Sequence, residues 1–481
     1  MHTFLWHDYE TFGADPRRDR PAQFAAVRTD AQLQEIESME WFCQPPLDYL
    51  PDPQSCLITG ITPQQAREKG LPEHAFAWQI YQAFSRPGTI GVGYNTIRFD
   101  DEFTRFLFWR NLLDPYGREW RNGNARWDLL DVARLVWALR PEGIEWPRDE
   151  RGQVSFKLER LSAANALAHE AAHDALSDVR ATLALARLIR ARQPRLFEFA
   201  LRLRDKREVA KELGFPALKG QERAFVHISG MFAPERGCLA VMWPLASHPH
   251  NRNEVLAWDL AHDPGELAAL DAAAIRQRLF TRQADLPQGV QRLPLKSVHL
   301  NKSPMVVGDL RVLTPAVQER WDLDMQRMAQ HAAIARDLPD MSAIWAEVYA
   351  ARPAPDEGDE RIPAEQDLYG GFISDADRQR LDALRQRPVG SWPQQLGFED
   401  ARLDELVFFF RARNFPRRLS EQERARWQAH RRATLLQGQG GARSAGQLMD
   451  EIDALYEQAS EAQQDILGAL YEWAGEIAPE T

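Results

Sequence analysis

The chain has 481 residues, a formal net charge of −11, and a composition that is 44% hydrophobic and 27% charged. This is ordinary globular composition with room for two to four domains at roughly 100–200 residues each. The acidic balance argues against a generic nucleic-acid coat protein, and no apolar run approaches the ~18 residues of a membrane span.

Three cysteines, Cys43, Cys56 and Cys238, are too few and too scattered for a disulfide framework or a cysteine-based metal site. Reduced thiols fit them best, which together with the absence of a signal-peptide pattern predicts a cytoplasmic protein. The charge is uneven: residues 187–211 hold nine Arg or Lys against Glu198, Asp205 and Glu208. Such a stripe can guide a phosphate backbone or form a solvated helix face.

In chain order, an apolar run from Phe4 enters His7-Asp8-Tyr9-Glu10 and is broken by Thr11 and Gly13. As a strand it puts Asp8 and Glu10 on one face. Two carboxylates held close repel each other unless a cation sits between them, and a hard divalent metal is the simplest such cation. Taken alone, the pair also reads as a strand end with two solvated acids. A second strand is predicted in 25–30 and a third around Phe42-Cys43. Thr62 and Pro63 mark a helix start. Residues 89–95 read as a buried strand, 99–103 as the opening of a helix that carries Arg105 and Trp109, and 127–131 as the start of a helix reaching Arg140. A short helix capped by Ser155 and a long one over 172–192 follow. This alternation predicts a mixed sheet with helices packed on it.

Gln193-Pro194-Arg195 punctuates the chain. Beyond a basic helical connector, strands are predicted at 225–232, 238–245, 253–260 and 290–300, with a helix at 265–282 between them. A Pro-rich acidic segment follows a helix at 344–349. The remainder reads as helical, with Leu448, Ile452, Leu455 and Ala459, then Ile466, Leu470 and Trp473, at helical spacing.

Three further residues bear on the opening acids. Asp100 lies at a strand-to-helix junction, and His173 and Asp178 form H-x4-D, with Asp178 one turn into the long helix and His173 before it. Each alone also fits a structural or surface role. Two acids on a first strand, one acid about 90 residues later and H-x4-D on a later helix together resemble the DEDDh family of 3′–5′ exonucleases. His7-Asp8-Tyr9-Glu10-Thr11-Phe12-Gly13, Arg20-Pro21-Ala22-Gln23-Phe24-Ala25 and Trp127-Asp128-Leu129-Leu130-Asp131 are similar to segments of the bacterial exodeoxyribonuclease I family within it. So are His227-Ile228-Ser229-Gly230-Met231-Phe232 and Phe410-Arg411-Ala412-Arg413-Asn414-Phe415-Pro416.

The resemblance covers nearly the whole chain. It implies an α/β fold: an RNase H-like exonuclease domain over residues 1–192, an SH3-like β-containing domain over 193–350, a linker over 351–366 and an all-α C-terminal domain over 367–481. The implied activity is Mg²⁺-dependent hydrolysis of single-stranded DNA from the 3′ end to 5′-mononucleotides, in DNA repair and recombination. Phosphodiester hydrolysis must gather charge on a crowded phosphate, and two metal ions can stabilise both the attacking and the leaving oxygen. By resemblance, Asp8 bridges both ions, Glu10 and Asp178 complete the inner ligands, Asp100 acts through water and His173 is the general base. Glu10 and Lys157 would meet the terminal nucleotide. Lys157 stands where the family has an arginine, which keeps the charge but loses the bidentate fork. Arg105, Tyr116, Trp120 and Arg134 would line the DNA path, with arginines for phosphates and aromatics for base faces. The family also implies a partner, the acidic, hydrophobic-tipped C-terminal tail of the single-stranded DNA-binding protein, with Arg140 and Lys219 as candidate contacts.

Two other readings compete: a DEDDh enzyme acting on RNA 3′ ends, and a non-catalytic single-strand-binding scaffold. The presence of all five catalytic side chains speaks against the scaffold, and the two large C-terminal domains speak against an RNA trimmer. No self-association seam is visible, which predicts a monomer.

Overall fold

The computed structural model describes residues 2–167, 174–216, 221–350, 362–393 and 396–479. The chain falls into two compact units, Met1–Ala125 with His169–Leu183 and Glu357–Thr481, and Arg126–Ala168 with Ala184–Asp356.

The first unit is built on β1 (Thr3–Thr11), β2 (Pro21–Thr29), β3 (Glu35–Phe42) and β4 (Thr89–Gly93). They lie in the order β3-β2-β1-β4, and the sheet continues into β5 (Ala125–Asp128). β2 runs antiparallel to β1, with Asp8 opposite Ala25 and Glu10 opposite Gln23, and the register shifts between Glu10 and Thr11. β4 runs parallel to β1, with Trp6 opposite Val92. This is the mixed sheet the alternation predicts. Gly93 is dictated by close approach: a Cβ there would lie 2.6 Å from the His7 carbonyl oxygen.

Leu5 and Tyr9 bury with Phe24 against Phe76, Ile80 and Phe84 of the Glu73–Ser85 helix and Leu107 and Phe108 of the Asp100–Arg110 helix. The alternation of a strand then sends Asp8 and Glu10 to the opposite face. Thr62 caps the Pro63–Lys69 helix as expected, in a capping box with Gln65. The predicted C-terminal stripes also form. Leu448 and Ile452 on Ala445–Tyr456, and Leu470 and Trp473 on Glu461–Glu476, pack against Phe12, Leu50, Cys56 and Ile61, while Leu455 and Ile466 are only partly buried and the unpredicted Leu467 is fully buried in their place. Ala459 falls beyond the end of its helix.

In the second unit, three expectations are corrected. The helix predicted from Trp127 begins at Leu129, because Asp128 has extended backbone and its side chain accepts the Leu130 N–H. Trp127 belongs to β5, with its Nε1 donating to the Ala200 carbonyl at 3.2 Å. The helix predicted from Ser155 is Leu158–Ala164, because Val154 bridges Arg148 and the Ser155 N–H donates to the Pro147 carbonyl. The chain is punctuated at Gln193-Pro194 as expected: one helix ends at Arg192 and the next, Pro194–Arg202, opens on Pro194, whose fixed φ suits the first turn.

The predicted strands become β6 (Phe225–Ile228), β7 (Leu239–Ser247), β8 (Glu254–Asp259) and β9 (Leu295–His299). A short β10 (Met305–Val307) completes an antiparallel sheet in the order β10-β6-β7-β8-β9. The helix predicted over 265–282 is split into a 3₁₀ turn, Pro264–Ala269, and a helix, Ala272–Phe280, because Asp271 caps the second. Among the described residues no helix is long and apolar enough to cross a membrane.

Candidate active site

β1 delivers Asp8 and Glu10 from a strand held on both sides, and Asp178 comes from the first turn of the Ala175–Arg192 helix. The Asp174 side chain accepts the Ser177 N–H at 3.0 Å and its carbonyl accepts the Asp178 N–H at 3.0 Å, which fixes where that helix starts. Asp8, Glu10 and Asp178 each place a carboxylate oxygen within 4.8 Å of the others, the one such group among the described residues. Asp100, buried at the first position of its helix, accepts the Tyr9 N–H at 3.1 Å. Thr104 Oγ1 hydrogen-bonds the Asp100 carbonyl at 2.8 Å and the Tyr9 hydroxyl at 3.0 Å, which ties β1 to that helix.

The electrostatics follow from packing like charges in a dry place. Burial first, then Asp100, Glu10 and Asp178, push the Asp8 carboxyl well above the usual carboxylate range. Burial, then Asp178, Asp100 and Asp174, push Glu10 up to about 8. An all-oxygen donor set strained by mutual repulsion fits a hard divalent cation, whose charge restores the ionised carboxylates. The sign follows by linkage. Without a cation, Glu10 keeps its proton in the folded chain between its unfolded value of 4.5 and about 8. Over that window the folded state binds more protons than the unfolded one, so stability falls as pH rises. A bound divalent cation removes that slope and displaces the proton. Calorimetry of cation binding near pH 7, in two buffers of different ionisation enthalpy, is expected to show release of about one to two protons and tighter binding at pH 8 than at pH 6. Binding without proton release would mean that the carboxylates are already ionised.

Sequence reasoning missed a supporting pair. Arg118 Nη2 donates to Asp101 Oδ1 at 2.5 Å, both are buried, and the guanidinium lies 4.6 Å from the centre of the Phe84 ring. Beside them burial lowers the pKa of His7 to about 4, against the opposing pull of Asp101. The one available signal was a second acid directly after Asp100.

The other predicted residues are placed as follows. His173 and Lys219 lie outside the described residues. In the first unit, Arg105 is only 7% exposed. Its Nε donates to Glu119 at 2.7 Å and its Nη1 to Glu102 at 2.6 Å and to the Tyr369 hydroxyl at 3.0 Å. A phosphate contact from Arg105 therefore requires one of these partners to let go. Its guanidinium covers the Tyr116 ring at 5.4 Å. Trp120 is 64% exposed beside Arg121. Tyr116 and Trp120 line a cavity of about 390 Å³ with Phe372, which is 83% exposed and stands edge-on to Tyr116 at 5.7 Å. Phe372 sits in a loop, where no periodicity marks it. In the second unit, Arg134 is paired with Asp131 at 2.6 Å and lies 5.8 Å from the Phe156 ring centre. Lys157 is exposed at the start of the Leu158–Ala164 helix, 3.8 Å from Glu159. Arg140 is half-buried, with Nη1 donating to the Leu139 carbonyl at 2.5 Å and the Val312 carbonyl at 3.3 Å.

A mixed sheet whose central strand brings two acids to a third from a helix defines an exonuclease, and the family described as Exonuclease matches residues 5–186. Two further matches, Exonuclease I SH3-like domain over 204–351 and Exonuclease I C-terminal domain over 363–477, account for the second sheet and the C-terminal helices. The chain is 43% identical to the exodeoxyribonuclease I of Escherichia coli strain K12, across 99% of this chain and 98% of that protein. It resembles the solved structure of a moderately thermophilic exonuclease I from Methylocaldum szegediense with a TM-score of 0.92 and 47% identity, covering 99% of this chain and all of that one. For E. coli exonuclease I in complex with a dA16 oligonucleotide, the TM-score is 0.90 at 41% identity over 99% of this chain and 100% of that chain. The chain belongs to the exodeoxyribonuclease I family.

Proposed function

We propose that this chain is a Mg²⁺-dependent 3′–5′ exonuclease that degrades single-stranded DNA to 5′-mononucleotides, in DNA repair and recombination. The observation that carries the proposal is the convergence of Asp8, Glu10 and Asp178 within 4.8 Å in a chain of this family. A pair of Mg²⁺ ions held there would supply the positive charge that the attacking and leaving oxygens need. Asp8 would be the ligand common to both positions, Glu10 and Asp178 would hold one each, and Asp100, already bonded to the Tyr9 N–H, would act through water. Glu10 also meets the terminal nucleotide, and Lys157 lends it a charge without a fork. His173 takes the proton of the attacking water. Tyr116 and Trp120, joined by Phe372, offer ring faces to bases, each stack contributing about 1–3 kcal/mol. Arg134 and Arg105 supply positive charge to the backbone. Domain boundaries at 1–192, 193–350, 351–366 and 367–481 complete this reading, and the matched ranges support them.

Matched DNA and RNA oligonucleotides with free and blocked 3′ ends, each with and without Mg²⁺, test the proposal. Degradation of free-ended DNA alone, and only with Mg²⁺, is expected. Equal loss of RNA, or loss of the 3′-blocked strand, would overturn it.

The partner proposal is the acidic, hydrophobic-tipped tail of the single-stranded DNA-binding protein, with Arg140 and Lys219 as its cationic contacts. A guanidinium can take both oxygens of a terminal carboxylate. Arg140→Ala is expected to weaken tail binding by ~1.5–3 kcal/mol, with activity on naked DNA unchanged. Titration of a labelled tail peptide checks this, and equal affinities would remove Arg140 from the site.

A further inference from the structure

We propose that the concave surface around Arg20, in the first unit, is a binding site for a phosphate group that shares no residue with the acidic cluster. A cavity of about 370 Å³ opens there, lined by Arg17, Arg18, Arg20, Arg413, Arg443 and His430. Five arginines line it with four acids, Asp19, Asp48, Glu365 and Glu451, so its capacity for an anion depends on which arginine is left without a partner.

The partner accounting singles out Arg20. Arg413 is taken up by Asp48 at 2.7 Å and Glu365 at 2.8 Å, and Arg443 by Asp52 at 2.7 Å and Glu451 at 2.8 Å. Arg18 is held by Asp15 at 2.7 Å and the Gly441 carbonyl at 2.8 Å, and His430 Nε2 lies 3.1 Å from Asp48. Arg20 is only 6% exposed, yet its Nε and Nη1 have no hydrogen-bond partner. Its Nη2 has only Glu365 at 3.6 Å, a carboxylate that Arg413 already binds. Asp19, the other acid close in sequence, is held by the Tyr49 hydroxyl at 2.9 Å and the Asp15 N–H at 2.8 Å.

A buried guanidinium with two unanswered donors lacks an acceptor, and the loss is largest for a charged group. A tetrahedral oxyanion brings negative charge and acceptors in several directions, which guanidinium groups recognise well. Arg17, exposed on the rim, adds a second cation. The turn Gly438-Gln439-Gly440-Gly441 also lines the cavity, and its three glycines have φ near +70° (67, 69 and 75°). The phosphate group can come from free inorganic phosphate or from a 5′-mononucleotide, for which the cavity also has room.

The test uses the full chain in excess chelator, so that no divalent cation can bridge phosphate to the acidic cluster. At constant ionic strength, the ³¹P line of inorganic phosphate is expected to broaden saturably with protein. Arg20→Met should weaken that binding by about tenfold or more, and Arg17→Glu should weaken it several-fold. Deoxyadenosine 5′-monophosphate binding more tightly than phosphate identifies a nucleotide as the source, and equal affinity identifies free phosphate. Deoxyadenosine binding as tightly as its monophosphate would overturn the proposal. No saturable broadening with wild type, or wild-type affinity in Arg17→Glu, would leave the cavity to water. The second variant decides the matter even if Arg20→Met fails to fold, because Arg17 is on the surface.

Discussion

On the proposed reading, Asp8→Ala is expected to lower exonuclease turnover on the order of 10³–10⁵-fold, because a metal bridge at Asp8 would supply several kcal/mol of charge stabilisation in the transition state. Single-strand binding should stay close to that of wild type, since Tyr116, Trp120 and Arg134 belong to other elements. The substitution also removes a carboxyl whose charge Asp100, Glu10 and Asp178 oppose. The variant measured in chelator should therefore melt no lower than wild type, which separates a catalytic loss from a folding defect. Single-turnover cleavage of a 3′-labelled oligonucleotide, anisotropy of the uncleaved complex and a thermal scan give the three readouts. Mg²⁺-dependent turnover within tenfold of wild type would remove Asp8 from the centre of the site.

Asp8 and Glu10 were legible because a strand has a period of two, so one apolar face dictates where the acids go. Asp100 and Asp178, each of which alone also fits a structural role, were legible as site residues only through the resemblance of the combined pattern to the DEDDh family. The pairing of Asp101 with Arg118 was not legible, since it joins a helix to a 3₁₀ turn and has no period. Arg105 could be read as a cation, but not as one already enclosed by Glu102, Glu119 and Tyr369, two of which come from other segments. The apolar stripes around Leu448 and Trp473 marked helix faces without saying what those faces cover. That they cover Phe12, Leu50 and Cys56 is a long-range result of packing. Local misreadings at Trp127 and Ser155 have a common origin. In each case a local hydrogen bond just before the helix, to the Asp128 side chain or from the Ser155 backbone, overrode the apolar pattern around it.

His173→Ala is expected to lower turnover by about 10²–10⁴-fold at neutral pH, the range for loss of a positioned general base. His173 lies outside the described residues. The carboxylates remain in this variant, so cation binding and single-strand binding should persist. The pH profile distinguishes a base from a structural histidine. An unperturbed imidazole titrates near ~6.5, so wild-type turnover should rise with pH through that region and then level off as the neutral base accumulates. In His173→Ala, hydroxide must replace the base, so turnover should keep rising with pH and the gap to wild type should narrow on the alkaline side. The carboxylate ligands titrate in both proteins, so only the difference between the two profiles reports on residue 173. A variant that keeps wild-type turnover at neutral pH, or one whose loss is the same at every pH, would assign His173 to holding the helix start and not to moving the proton.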